Sequence, residues 1–272
     1  MKGIILAGGT GSRLYPLTRV TNKHLLPIYN KPMIYYPLYS MKEAGINEVL
    51  IISGPESAGD FLNLLGSGAQ MGMKLMYEVQ EEPGGIAQAL GLAETFAAGE
   101  KVVVVLGDNV IEQSIADAVR DFEARESGGS IFLKKVHNPE SYGVAAIKDG
   151  KVVGIVEKPE NPKSDLAVIG CYMYDSQVFD VIKTLKPSGR GELEITDVNN
   201  FYLDQGTLTY SELEGFWGDC GESFDSMMIA SKLVQTSQLA DIDNTLTLLN
   251  REHRSLTSNV AVAEILESVQ SR

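Results

Sequence analysis

The sequence predicts an α/β fold with a doubly wound, mainly parallel (mixed) central sheet, an antiparallel lobe in its second half and a helical C-terminus. Two observations lead to this prediction. Short, continuous apolar runs at residues 2–7, 48–53 and 102–106 alternate with segments of helical spacing. Further along, two β runs within 143–157 flank Asp149-Gly150, a dipeptide typical of hairpin turns.

The apolar runs are predicted to be buried parallel strands, because crossover connections place helices on both faces of such a sheet. Further strands are predicted near 130–136 and 167–174. Helices are predicted near residues 33–44, 56–65, 85–97, 112–126, 176–185, 194–204, 222–236 and 245–270, the last with Leu246, Leu249, Val262, Ile265, Leu266 and Val269 on one face.

The sequence has no evident linker or internal repeat, which favours one main domain. We expect this domain to span residues 1–240, with halves at about 1–110 and 111–221. Residues 241–272 are expected to form a helical tail that packs on the domain or contacts another subunit.

Composition excludes several classes of protein. The 272 residues are 44% hydrophobic and 22% charged, as in globular proteins, and no apolar run approaches the roughly 20 residues of a membrane span. The two cysteines, Cys171 and Cys220, form neither a disulfide framework nor a zinc motif, so a cytoplasmic location is expected. The net charge of −13 argues against a nucleic-acid partner.

Charge is unevenly distributed along the chain. Residues 1–42 contain only basic charged residues, and the first acidic residue is Glu43. A cationic segment at the start of an acidic protein indicates either a local anion site or a chance cluster.

Glycines follow the first predicted strand in the run Gly8-Gly9-Thr10-Gly11-Ser12-Arg13-Leu14. Backbone N–H groups of such a loop can approach phosphate oxygens, and an arginine adds a fork-shaped cation. A tight structural turn is the alternative. The run lacks the third glycine of a dinucleotide fingerprint and the Gly-Lys-Ser/Thr of a P-loop.

Two later segments also have alternative interpretations. Asp108 ends the most apolar run, where open α/β sheets bind ligands, although an aspartate there can also cap the next helix. Gly84 and Gly85 open a predicted helix close to Gln80, whose amide can both donate and accept hydrogen bonds. These residues indicate either a binding loop or an ordinary helix start.

Together the motifs resemble a known family. The run from Gly8 to Thr18, followed by Lys23-His24-Leu25-Leu26-Pro27, resembles the signature of sugar-phosphate nucleotidylyltransferases. The run Lys31-Pro32-Met33-Ile34-Tyr35-Tyr36-Pro37-Leu38 is similar to the short-form glucose-1-phosphate thymidylyltransferases among them. The resemblance extends to about residue 240.

The resemblance implies a set of site residues. Those implied for the nucleotide are Gly8, Gly9, Gly11, Ser12, Arg13, Lys23, Gln80, Pro83, Gly85 and Asp108. Those implied for the sugar are Asn109, Tyr142, Gly143, Glu157, Lys158, Val168, Gly170 and Tyr172, with Arg190 near the sugar phosphate. Asp108 and Asp219 are implied to bind Mg²⁺, which prefers few carboxylates together with phosphates and water.

The resemblance also implies a reaction. Glucose 1-phosphate would attack the α-phosphorus of dTTP to give dTDP-glucose and pyrophosphate, with Arg13, Lys23 and Lys158 as the catalytic cations. The attacking phosphate is already an anion, so no general base is required, and the chain shows no nucleophile–base pair. A homo-oligomer is also expected.

Three alternatives remain at this stage. The same chemistry could use UTP or another sugar 1-phosphate, because a pocket discriminates weakly over one methyl group. The chain could instead be a non-catalytic nucleotide-sugar sensor, although a sensor has less need of both metal carboxylates. A nicotinamide-dependent oxidoreductase is the third, and the glycine pattern disfavours it.

The sequence departs from the family pattern around Asp219. Gly218, Cys220 and Glu222 stand where leucine, threonine and threonine are usual. These changes leave the two aspartates in place, and Cys220 is expected to be a small packing residue.

Overall fold

Strands buried on both faces form the centre of the molecule. The structure, a computed structural model, describes residues 1–241. Its strands are β1 Lys2–Ala7, β2 Pro27–Ile28, β3 Lys31–Pro32, β4 Glu48–Ser53, β5 Lys74–Val79, β6 Val102–Leu106, β7 Asn109–Ile111, β8 Gly129–Lys135, β9 Gly143–Lys148, β10 Lys151–Glu157, β11 Leu166–Tyr174, β12 Leu208–Glu212 and β13 Trp217–Asp219. Its helices are α1 Tyr35–Glu43, α2 Ala58–Leu65, α3 Ile86–Gly91, α4 Glu94–Ala97, α5 Ala116–Glu123, α6 Gln177–Thr184, α7 Ile195–Asp204 and α8 Phe224–Thr236.

Within these residues, nine strands form one mixed sheet in the order β10-β9-β11-β6-β1-β4-β5, with β8 added beside β11 and β12 beside β8. Strands β5, β4, β1 and β6 are parallel, whereas β11 is antiparallel to β6, β8 and β9. The predicted fold class is therefore confirmed. The parallel strands bring their carboxyl ends to one edge, where open α/β sheets bind ligands.

Alternate side chains of the central strands fill two cores. Ile4 of β1 packs on one face of the sheet with helices α3, α6 and α7, and Ile5 packs on the other face with α1, α2 and α5. This division produces the doubly wound architecture, because both faces of a parallel sheet must be covered. A third core lies beneath α8 and includes Cys220 and Val110.

Several predicted elements differ in detail. Strand β5 was not predicted, because Lys74 and Glu78 are exposed on this edge strand and interrupt the apolar run. The predicted helix at 85–97 is two short helices, α3 and α4. The helix predicted at 112–126 begins only at Ala116, because Glu112 and Gln113 instead bond to the segment that leads into β13.

The remaining predicted elements lie at their expected places, within a few residues at their ends. The helix predicted at 245–270 lies outside the described residues. None of the helices in residues 1–241 is long and apolar enough to cross a membrane.

Candidate active site

A cleft of about 370 Å³ opens at the carboxyl ends of β1 and β6. It gathers most of the residues predicted for the nucleotide, the sugar and the metal. They are Gly8, Gly9, Arg13, Lys23, Gln80, Pro83, Gly85, Asp108, Asn109, Tyr142, Gly143, Glu157, Lys158, Val168, Gly170, Tyr172 and Asp219. Residues far apart in the sequence are thus brought to one site by the fold.

Gly11 and Ser12 do not line this cleft. The backbone of Gly11 has a φ of 61°, and a Cβ there would lie 2.8 Å from the Thr18 side chain. Glycine is therefore required to shape the loop. A role for Gly11 and Ser12 in binding the nucleotide stays a prediction.

The loop after β1 approaches Gln80, which follows β5. A Cβ at Gly8 would lie 2.6 Å from Gln80 Oε1, so a side chain at position 8 would collide with the amide. Gln80 Nε2 donates a hydrogen bond to Gln88 Oε1 at 2.5 Å. Because the Gln80 amide nitrogen is engaged by Gln88, its oxygen remains as the acceptor on the Gly8 side.

The family resemblance also implies that the base packs against the backbone at Gly85. The fold itself requires glycine at this position. Its φ is 97°, and a Cβ there would lie 2.6 Å from the Leu193 carbonyl oxygen. The close approach joins the start of α3 to the loop before α7, which lines the cleft with Arg190, Glu192 and Glu194. The predicted packing of a base against Gly85 remains untested.

The two predicted metal ligands come from different parts of the chain. Asp108 follows β6, and Asp219 ends β13, which pairs with β7 so that Asp219 lies opposite Asn109. Lys23 Nζ donates to Asp108 Oδ2 at 2.5 Å, and Asn109 Nδ2 donates to Asp108 Oδ1 at 3.0 Å. A side chain at Gly221 would overlap the Asp108 carboxylate, so the loop after β13 packs directly against this group.

The two carboxyl groups differ in acidity. Burial opposes ionisation of Asp108, but the Lys23 ammonium and donated hydrogen bonds outweigh it and hold the pKa of Asp108 below its usual value. Burial and the neighbouring Asp108 carboxylate raise the pKa of Asp219 to about 7. The Lys23 ammonium therefore offsets the negative charge of Asp108 well, but it offsets the combined charge of Asp108 and Asp219 only in part.

This donor set fits a magnesium ion. Within residues 1–241, no group of three or more His, Cys, Asp or Glu side chains is arranged to hold a metal. Mg²⁺ does not require such a cage, because it retains water and binds substrate phosphates alongside one or two carboxylates. Burial and the neighbouring Asp108 carboxylate both disfavour the charged form of Asp219, and a bound cation would neutralise the charge of the pair.

At the opposite end of the cleft, Glu157 lies at the end of β10. Its Oε2 atom accepts a hydrogen bond from Thr196 Oγ1 at 2.6 Å, and a Cβ at Gly143 would lie 3.3 Å from the same oxygen. The next residue, Lys158, has a φ of 41°, and its N–H donates to the Tyr142 carbonyl at 3.0 Å. Left-handed backbone at a lysine is costly and is typical of functional positions.

Arg190 lies in this cleft, as expected, and is held by acidic side chains. Its guanidinium forms ion pairs with Glu157, Glu192 and Glu194, of which the contact to Glu194 is the shortest at 2.7 Å. Although burial opposes ionisation of Glu194, Arg190 and Ser188 hold the pKa of its carboxyl below the usual value. The pairs hold the Arg190 guanidinium in the cleft that Lys158 also lines.

Asn109 joins the two ends of the cleft. Its Oδ1 atom accepts hydrogen bonds from Trp217 Nε1 at 2.6 Å and from the Gly170 N–H at 3.2 Å. The Trp217 ring in turn contacts Tyr142 edge-on, with 5.3 Å between centroids. Asn109, which is predicted to bind the sugar, therefore also fixes the wall of the cleft at Trp217 and Gly170.

Two residues near the acidic pair are chemically inert. His24 is buried, and burial lowers its pKa to about 3, so the imidazole is neutral. Burial raises the pKa of the Cys220 thiol well above its usual value, and Cys220 packs in the core beneath α8. A thiolate is not available there, in agreement with the expected packing role.

Sequence reasoning missed several residues of the cleft. They are Leu6, His24, Ile86, Ala89, Leu106, Ser141, Glu192, Glu194, Ile195, Thr196 and Trp217, together with Gln88 behind Gln80. A signal existed for five of them. Trp217 is the one tryptophan of the sequence and lies two residues before Asp219, and the run from Arg190 to Asp197, which also resembles the family, contains Glu192, Glu194, Ile195 and Thr196.

Comparison with known proteins identifies the family of the chain. The sequence model of the nucleotidyl transferase family matches residues 2–237. A glucose-1-phosphate thymidylyltransferase of Neisseria meningitidis is 47% identical over 242 residues, covering 88% of this chain and 84% of the relative. The enzyme of the same name from Mycolicibacterium smegmatis is 46% identical over 243 residues, covering 88% and 84%.

Solved structures share the fold. A Bacillus anthracis protein, assigned provisionally as a glucose-1-phosphate thymidylyltransferase and crystallised with sucrose, is 52% identical, with a TM-score of 0.83 over 86% of this chain and 94% of that one. A UDP-glucose pyrophosphorylase bound to UDP-glucose is 25% identical, with a TM-score of 0.76 over 86% and 98%. From the family match and these relatives, we conclude that this chain belongs to the nucleotidyl transferase family.

Proposed function

We propose that this protein transfers the thymidylyl group of dTTP to glucose 1-phosphate and so forms dTDP-glucose and pyrophosphate. One observation carries the proposal: a single cleft is lined by the acidic pair Asp108 and Asp219, by the glycine-rich cationic loop, and by Glu157 and Lys158. The names of the relatives at 46–47% identity support these substrates.

The nucleotide belongs in the half formed by residues 1–110. The loop from Gly8 to Arg13 offers backbone N–H groups and a guanidinium to the triphosphate, and Lys23 adds a second cation. Gln80 Oε1 is the acceptor left after Gln88 engages the amide nitrogen, so it accepts the N3–H of thymine. Cytosine lacks that proton, and CTP is therefore a poor substrate.

The sugar phosphate belongs in the half formed by residues 111–221. Glu157 accepts hydrogen bonds from sugar hydroxyls, and the Gly143 N–H donates one. Lys158 binds the 1-phosphate, with Arg190 close by. The other residues predicted for the sugar are Asn109, Tyr142, Val168, Gly170 and Tyr172, which form part of the pocket walls.

The chemistry depends on positioning and charge. Lys158 orients the phosphate oxygen of glucose 1-phosphate toward the α-phosphorus of dTTP; the new O–P bond forms as the bond to pyrophosphate breaks. Arg13 and Lys23 stabilise the charge on the departing pyrophosphate. Asp108 and Asp219 would hold Mg²⁺, which supplies neutralisation of phosphate charge when it is bound.

A second candidate is the same transfer from UTP. It is favoured by Gln80, a residue of the cleft, because the N3–H that we propose as its partner is shared by thymine and uracil. The two nucleotides differ by one methyl group, for which a pocket discriminates by about 10–200-fold.

Product analysis tests the proposal. The purified protein is incubated with dTTP, glucose 1-phosphate and Mg²⁺, and the mixture is examined by mass spectrometry. Equal amounts of dTDP-glucose and pyrophosphate are expected. Binding of dTDP-glucose without any turnover would instead support the nucleotide-sugar sensor.

We further propose a cytoplasmic location, supported by the two free, buried cysteines, Cys171 and Cys220. The expected homo-oligomer stays a prediction, which sedimentation velocity would test.

A further inference from the structure

Glu222 connects two loops of the cleft. It lies three residues after Asp219 and immediately after Gly221, on the loop that packs against Asp108. Its Oε2 atom accepts a hydrogen bond from the Tyr142 hydroxyl at 2.6 Å, and its Oε1 atom accepts one from Asn138 Nδ2 at 2.8 Å. Both carboxylate oxygens are therefore used to hold the segment at 138–142.

The Tyr142 side chain is held from two directions. Its hydroxyl is bonded to Glu222, and its ring packs edge-on against Trp217, which itself donates to Asn109. Burial and the Glu222 carboxylate raise the pKa of Tyr142, so the phenol stays protonated and acts as the donor. A hydrogen bond to a carboxylate is about twice as strong as one between neutral groups.

Glu222 does not itself line the cleft, whereas Tyr142 does. An effect of Glu222 on the sugar therefore passes through the Tyr142 ring. The Tyr142 carbonyl also accepts from the Lys158 N–H, which links the held segment to the residue that binds the 1-phosphate.

We propose that Glu222 is a positioning residue for the sugar 1-phosphate pocket: it holds the Tyr142 ring against Trp217 as the pocket wall. This inference rests on the proposed function. It adds Glu222 as a residue that affects sugar binding from behind the pocket wall, through Tyr142. A purely structural role is the alternative, because Glu222 lies on the loop that packs against Asp108. Such a role would act on the metal end of the cleft.

Three variants distinguish the two roles. Glu222→Ala removes both acceptors, Glu222→Gln retains a group able to bond Tyr142 and Asn138, and Tyr142→Phe removes only the hydroxyl. Pyrophosphate release gives the KM for glucose 1-phosphate, the KM for dTTP and the Mg²⁺ concentration for half-maximal rate. Trp217 is the one tryptophan, so its fluorescence reports the contact with Tyr142 without turnover.

We expect Glu222→Ala and Tyr142→Phe each to raise the KM for glucose 1-phosphate about 3- to 10-fold, as for one lost hydrogen bond. The KM for dTTP and the Mg²⁺ requirement change less than about twofold, and Glu222→Gln restores the wild-type KM. The Trp217 emission changes in Glu222→Ala and returns in Glu222→Gln. The double variant of Glu222→Ala and Tyr142→Phe is no worse than either single variant.

Other outcomes would overturn the inference. One is a raised Mg²⁺ requirement in Glu222→Ala with an unchanged KM for glucose 1-phosphate, and another is additive effects in the double variant. A third is an unchanged KM for glucose 1-phosphate in Tyr142→Phe. This last measurement also decides the question if Glu222→Ala does not fold. An inactive wild-type protein would refute the proposed function instead, while the fluorescence comparison would still test the contact.

Discussion

Asp219 lies opposite Asn109 in the antiparallel ribbon of β13 and β7. Because Asn109 directly follows Asp108, this pairing brings the Asp219 carboxyl group beside the Asp108 carboxylate. Backbone bonds on both sides secure the register: the Cys220 N–H donates to the Asp108 carbonyl, and the Glu112 N–H donates to the Phe216 carbonyl. A ribbon of three residues per strand thus assembles the proposed metal site.

Loss of either carboxylate is expected to abolish most activity. Asp108→Asn and Asp219→Asn should each lower kcat by about 100-fold or more, since each removes charge from the group that holds Mg²⁺. Pyrophosphate release measures the effect, and Asp121→Asn, on the exposed side of α5, is the matched control. A kcat within about twofold of wild type for either site variant would remove that residue from the mechanism.

Lys158 is expected to act on the sugar phosphate. Lys158→Ala should lower kcat/KM for glucose 1-phosphate by roughly 100-fold, because it removes the cation that orients the attacking anion. Lys163→Ala, an exposed lysine of the following loop, should leave it unchanged. Equal losses in the two variants would show that general charge, not the position of Lys158, matters.

Gln88 is expected to control recognition of the base through Gln80. Gln88→Leu removes the acceptor of the Gln80 amide and should raise the KM for dTTP about 3- to 10-fold, with the KM for glucose 1-phosphate unchanged. Gln88→Glu retains the acceptor and should behave like wild type. If Gln88→Leu leaves the KM for dTTP as it was, the orientation of Gln80 does not depend on Gln88.

The lowered pKa of the buried His24 imidazole predicts that the stability of the protein depends on pH. Its pKa is about 3 in the folded protein and 6.5 without the fold, so below pH 6.5 the unfolded chain binds a proton that the folded protein does not. The contribution of neutral His24 to the free energy of unfolding is complete above pH 6.5 and is lost as the pH falls toward 3. At pH 5 the loss amounts to about 2 kcal/mol.

Urea unfolding at pH 7 and pH 5 measures this difference. His24→Gln should reduce the loss of unfolding free energy between the two values, whereas His137→Gln, at an exposed position, should not. Equal losses in wild type and His24→Gln would show that His24 is not buried as a neutral imidazole.

The sequence predicts the parts of this molecule whose signal is local. Strands such as β6 are continuous apolar runs, and Asp108 stands at the end of one, where a ligand site is expected in an α/β sheet. The edge strand β5 was missed because its charged, exposed residues remove that signal. Local pattern therefore locates the sheet centre better than its margins.

The rest of the site depends on contacts between distant residues. Asp219 was proposed only through the family resemblance, because the β7–β13 ribbon is too short to have a pattern of its own. Gln88 and Glu222 act on other side chains, Gln80 and Tyr142, and nothing in their own segments indicates these partners. Such roles become visible only once the fold brings both partners together.

The rate of pyrophosphate release tests the proposed thymidylyl transfer most directly. It is measured with Mg²⁺ for dTTP, UTP, CTP, GTP and ATP, each against several sugar 1-phosphates. Turnover with glucose 1-phosphate and dTTP, or with dTTP and UTP, together with very slow turnover of CTP and the purine nucleotides, is the predicted result. Absence of turnover with every pair, or a clear preference for a purine nucleotide, would contradict the proposed thymidylyl transfer.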